Sequence, residues 1–274
     1  MAIKHLRLIL LLAAIPVILL PAATLAIPSA NFYEEQGEIF DDWDVCRTNA
    51  FGEYGFFQAA SETEFRPIIV AESLGENADS AYRIGQQLAE KYPDPQQRAE
   101  RIFAFARDKM RYTSDWDQFR FDEFAQNADE VANTLETKGL AYGDCEDYAV
   151  LLAVMYKGAG LRSAIVLTPD HAAALVYLPG YKEANRSLSL DGETGWIWAE
   201  ATGGNNPLGW MPESFIGQTL GAYEVEDEGI TAVEPHNKTP TTVTEGGGST
   251  AIRLAPFFAV ILLMLLLTLF RRRR

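Results

Sequence analysis

The order of apolar patterns along the 274 residues predicts an α+β fold, with helices first, one fully buried helix in the middle and an antiparallel meander after it. Three observations carry this. Ala99, Ile102, Phe103, Ala106 and Met110 recur at helical spacing. From Tyr148 to Tyr156 every residue is apolar or aromatic, which leaves a helix there no solvent face. Two strand-like runs, 163–168 and 172–178, are then split by Pro169-Asp170, a turn pair.

Taken in order, the chain begins with 19 uncharged residues from Leu8 to Ala26, behind Lys4 and Arg7. Small residues close that run, so 1–26 reads as a secretory signal or a retained N-terminal anchor. The 27–94 extension has many aromatics without a period and stays unassigned, apart from a helix expected over 76–92. A main domain is expected over 95–220. Its elements are a helix over 94–112, a shorter one over 128–137 stopped by Gly139, the central helix over 144–157, the two strands, and a third strand over 196–199. Residues 221–250 are rich in Glu, Thr and Gly and read as a flexible stalk. A 17-residue uncharged run from Leu254 to Phe270 within 251–270 reads as a transmembrane helix, and Arg271 to Arg274 as its stop signal.

Cations favour the cytoplasmic side, so the 271–274 Arg tail is expected there and the folded region on the extracytoplasmic side of the cell membrane. Of the 23 Lys and Arg, seven stand in or beside the apolar ends; the remaining 16 face all 38 acids, a balance of −22. That surface would repel phosphates and argues against a nucleic-acid partner. No phosphate loop, zinc pattern or internal repeat is present.

His5 and His236 lie in the end segments, which makes His171 the sole imidazole of the domain. It starts the second strand, and Glu200 closes the third. Antiparallel pairing of those strands brings the two together. The central helix, packed with its first turn at the same edge, would add Cys145, giving a nucleophile, a base and an orienting acid. Each has a plainer reading: a core Cys, a satisfied structural His, a strand-end acid. Cys46 and Cys145 outside the cytoplasm could also pair as a disulfide, which would abolish thiol chemistry. Trp196 and Trp198 read as core.

The stretch Gly143-Asp144-Cys145-Glu146-Asp147-Tyr148, then Gly160-Leu161-Arg162-Ser163, His171 opening an apolar strand, and Trp196-Ile197-Trp198-Ala199-Glu200 resembles the transglutaminase-like superfamily of papain-related thiol enzymes, over roughly 95–215. The resemblance implies that fold's cysteine-proteinase core, with Cys145 as nucleophile, His171 as general base and acid, and Glu200 as third member, where the family more often has Asp. It implies a protein or peptide substrate, with hydrolysis (cysteine protease or amidase) ahead of amine cross-linking. The Cys145 backbone N–H is the expected oxyanion donor, with Trp116 as a second. Asp144, Glu146 and Asp147 complement the helix dipole; related periplasmic cysteine proteinases imply instead that they hold calcium, and no other cofactor is expected. The rival to catalysis is a surface module of the same fold that binds peptide or cell-envelope material.

Overall fold

The computed structural model describes residues 31–61, 63–227, 230–233, 238 and 240–244. The apolar runs at 8–26 and 254–270, and with them the expected signal, membrane helix and Arg tail, lie outside the described residues. Among the described residues no helix is long and apolar enough to cross a membrane.

The centre is α6 (Cys145–Gly158), with Val150, Leu151, Leu152, Ala153 and Val154 all sealed from solvent. Burying each of the Val and Leu side chains is worth about 1.5–3 kcal/mol, which makes this helix the main apolar anchor of the fold. One side of it packs against α2 (Ser80–Lys91), α3 (Pro95–Lys109) and α5 (Ala128–Lys138). The contact with α2 is backbone to backbone. A Cβ on Gly85 would stand 2.1 Å from the Met155 carbonyl oxygen, and one on Gly158 would stand 2.1 Å from that of Tyr82. Glycine at both places lets the two helices touch.

The other side of α6 packs on β5 (Ser163–Thr168) and β6 (His171–Tyr177). With β7 (Leu188–Leu190), β8 (Glu193–Ala199) and β9 (Gly221–Glu224) they form a five-stranded antiparallel sheet ordered β7-β8-β6-β5-β9. Alternation divides its side chains. Ile165, Ala174, Val176 and Ile197 face α6, while Ala164, Val166, Leu175, Trp196 and Trp198 form a second core on the far face. Both Trp rings are fully buried, as the core reading expects.

The meander expected from three strands is therefore the middle of a wider sheet. Two strands of this sheet escaped the sequence reading. Three-residue β7 is defined by its partner, and β9 lies in what was read as stalk. The stalk reading of 221–250 is corrected at two places. Gly221–Glu224 covers the β5 edge, with Glu224 gripping the Arg162 guanidinium at 2.6 and 2.7 Å. Further on, β10 (Pro240–Thr241) pairs with β1 (Phe32–Glu35), which in turn pairs with β2 (Glu38–Asp41). The 94–112 helix also ends sooner than expected, because Met110–Tyr112 leaves it as β3, parallel to β4 (Ala141–Gly143).

The N-terminal segment, unassigned from sequence, adds α1 (Ile68–Ala71) and long irregular stretches. A buried cation fastens it. Arg47, 0% exposed, donates to Glu130 at 2.9 Å, to Glu72 at 3.0 Å, to the Ala125 carbonyl at 2.7 Å, and to Asp41. Burial pulls the Arg47 pKa down, but Glu130, Glu72 and Asp41 hold it well above its ordinary value.

Candidate active site

The site is assembled where three element ends converge. Asp144 is the N-cap of α6, and its backbone N–H donates to Asp147 Oδ2 at 3.3 Å. The next residue, Cys145, therefore stands in the first helical turn, half-buried and beside free backbone N–H groups. His171 opens β6 because the Pro169-Asp170 turn ends there, and the hairpin register closes on Thr168↔His171. Glu200 follows the last residue of β8. The β6–β8 register pairs Ala174 with Ala199, so one further step sets Glu200 across from Ala173, on the sheet face that His171 shares.

There His171 Nε2 and Glu200 Oε2 lie 2.7 Å apart. The contact on the ring is at Nε2. Glu200 is itself held by Thr202, whose hydroxyl donates to Oε1, and by Asn206, whose amide donates to the Glu200 carbonyl. Phe215 stacks on the imidazole at 5.6 Å and 9°. The ring is thus fixed from below and from the side. Burial lowers the His171 pKa, but hydrogen bonding to Cys145 and to Glu200 more than offsets this and raises it to about 10. The imidazole is accordingly held as a cation between a sulfur and a carboxylate.

Cys145 and His171 line a cleft of about 420 Å³. The alternative Cys46–Cys145 disulfide is not formed, and both thiols are free. Cys46 is buried elsewhere, its sulfur 3.8 Å from Thr48 Oγ1 and 3.9 Å from Glu38 Oε2; burial pushes its pKa up. Trp116, expected as a second oxyanion donor, is 55% exposed on α4 (Asp115–Gln118) and is not part of the cleft wall. Tyr112 lines the cleft instead.

The acidic cluster is larger than the sequence indicated. Asp115 and Glu123 join Asp144, Glu146 and Asp147, with carboxylate oxygens in groups of three within 4.8 Å of one another. Asp147 is spoken for, since it accepts from the Gln126 backbone and side-chain amides at 2.7 Å each. Glu146 accepts from the Cys145 thiol at 3.2 Å through Oε2. Asp115 Oδ1, Asp144 Oδ1 and Glu146 Oε1 are buried without a hydrogen-bond partner. Burial, and then the neighbouring Asp144, push Asp115 up to about 8; burial raises Glu146, Asp147 and Asp144 too. Orphaned, crowded carboxylate oxygens of this kind fit a hard divalent cation. Asp115 and Glu123 were missed because they come from a short helix and a loop far from Cys145 in sequence.

Asn185 spends its side-chain amide on both backbone groups of Met211 (2.8 and 2.9 Å).

Comparison with known proteins bears on this geometry directly. Residues 82–213 match the transglutaminase-like superfamily model, a stretch that contains Cys145, His171 and Glu200. No curated protein matches the chain. The chain therefore carries a transglutaminase-like superfamily domain, and the N-terminal segment and β9 lie outside the matched residues.

Proposed function

We propose that the transglutaminase-like domain is a thiol enzyme acting on amide bonds of a protein or peptide, with Cys145 as nucleophile, His171 as proton carrier and Glu200 as the group that orients it. The observation that carries the reading is the imidazole held between Cys145 and Glu200, 2.7 Å from the carboxylate, in an open cleft.

In the proposed reaction the Cys145 thiol passes its proton to His171, the resulting thiolate attacks the carbonyl carbon, and the carbonyl oxygen takes the charge against the Cys145 backbone N–H at the α6 N-terminus. His171 gives its proton to the departing amine as the C–N bond breaks. The resulting thioester is cleaved by water, with His171 now taking the water's proton and the sulfur leaving. Hydrolysis is preferred to transfer because water is always available and no described group marks a site for an incoming amine. Calcium fits Asp115, Glu123, Asp144 and Glu146, where it would neutralise the carboxylates next to the sulfur. In this reading the apolar ends hold the domain at the extracytoplasmic face of the cell membrane, with the Arg tail inside.

The test is incubation of the full-length chain with a defined peptide mixture and a fluorescent primary amine, read by mass spectrometry. New peptide termini or released ammonia support hydrolysis, and incorporated amine supports transfer. Either must vanish in Cys145→Ala. A chain that gives neither, yet retains peptide, would be the binding module instead.

A further inference from the structure

The cleft has two unlike sides. Carboxylates come from the start of α6, from Glu123 and from Asp170. Much of the apolar lining comes from residues 48–57, a segment outside the family-matched stretch, through Ala50, Phe51, Phe56 and Phe57.

That segment is built. At its start Arg47 is locked in the buried ion network, and the Ala125 N–H donates to the Arg47 carbonyl at 2.9 Å. At its end Phe56 and Phe57 are buried, and their carbonyls accept from Ile69 at 3.2 Å and Arg66 at 2.8 Å. Between these anchors the chain folds on itself so closely that a Cβ on Gly55 would lie 2.5 Å from the Ala50 carbonyl oxygen. Phe51 N–H donates to Asn49 Oδ1 and Gly52 N–H to the Ala59 carbonyl, each at 3.0 Å. What this scaffold presents at the cleft is Phe51, 55% exposed. An aromatic ring held out to solvent by a backbone with fixed ends is preorganised to bury a partner's apolar surface at low entropic cost.

We infer that residues 48–57 are the substrate-selecting wall of the cleft, with Phe51 receiving a bulky apolar or aromatic side chain carried beside the reacting carbonyl. The inference deepens the thiol-enzyme reading and rests on it for the word substrate; the contact itself needs only a reagent that reaches Cys145.

The experiment therefore measures alkylation of Cys145 in the full-length chain by iodoacetamide and by N-phenethyl iodoacetamide, with peptide mapping to separate Cys145 from Cys46. The aromatic reagent is expected to react faster by about tenfold, after correction for the same ratio on a free model thiol. Phe51→Ala should bring the corrected ratio to one. Because Phe51 is mostly exposed, the variant folds. A wild-type ratio of one, or a preference that survives Phe51→Ala, overturns the inference. Labelling by both reagents no faster than the model thiol would count against the thiol-enzyme reading, while the ratio would still decide the role of Phe51.

Discussion

Helix α6 and Arg47 of the N-terminal segment reach full burial by opposite means. The helix has no polar side chain between Tyr148 and Tyr156 and is held by apolar contact on every side. The segment has little regular structure; beside its buried apolar anchors such as Phe56 and Phe57, it is held by one guanidinium shared among three carboxylates and a carbonyl. Apolar packing is forgiving of small shifts and summed over many atoms. A buried charge network is all-or-none, because losing one member strands the others. The first positions Cys145; the second positions the wall facing it.

The sharpest way to break that contrast is Arg47→Met, which leaves Asp41 and Glu72 buried without their cation. It should cost about 3–5 kcal/mol in denaturant unfolding. Hydrogen exchange should show amides of 48–57 opening before those of α6; loss of protection in both together would mean that the two regions are one cooperative unit. Leu151→Ala comes next, at about 2–5 kcal/mol for a large-to-small change in a sealed site. Here the α6 and 48–57 amides should lose protection in parallel. Gly55→Ala is expected to cost about 1–3 kcal/mol, since the new methyl meets backbone rather than a movable side chain. It should erode the Cys145 reagent preference more than overall stability.

The remaining effect is electrostatic. His171 titrates near 10 in the folded chain against an ordinary value of 6.5. Its contribution to stability is thus whole below pH 6.5 and lost as pH rises towards 10. Asp115, raised from 3.8 to about 8, acts in the same direction, with its loss running from about pH 4 to 8. Melting temperature should fall across pH 4 to 10, Glu200→Gln should flatten the upper part, and calcium should flatten the lower part. A curve unchanged by either would remove the electrostatic account of the site.

How much of this could be read beforehand follows the same division. The apolar run of α6, the 163–168 strand, and the meeting of His171 with Glu200 were legible, because each rests on a period or on the register of neighbouring strands. Short strands such as β7 and β4 were not, since three residues acquire their shape from a partner. The N-terminal segment was opaque for a stronger reason. The partners of Arg47 lie 6, 25 and 83 residues away, and no local pattern encodes such a meeting. The same applies to Asp115 and Glu123 beside Cys145, and to Phe51, whose importance depends on a cleft assembled from distant pieces.

The pairing of β1 with β10 has a mechanical side. Phe32 stands opposite Thr241 and Tyr33 opposite Pro240, so the chain enters and leaves the folded body at one point. Tension applied between the two ends loads that antiparallel pair in the peeling direction, one rung at a time, and not in shear. The first ties to give would be the ladder itself and Lys238, which sits 3.8 Å above the Tyr33 ring and 3.2 Å from Glu35. Arg47 and the cleft lie beyond this clasp, so a pull on the ends would spend itself at low force before reaching Cys145.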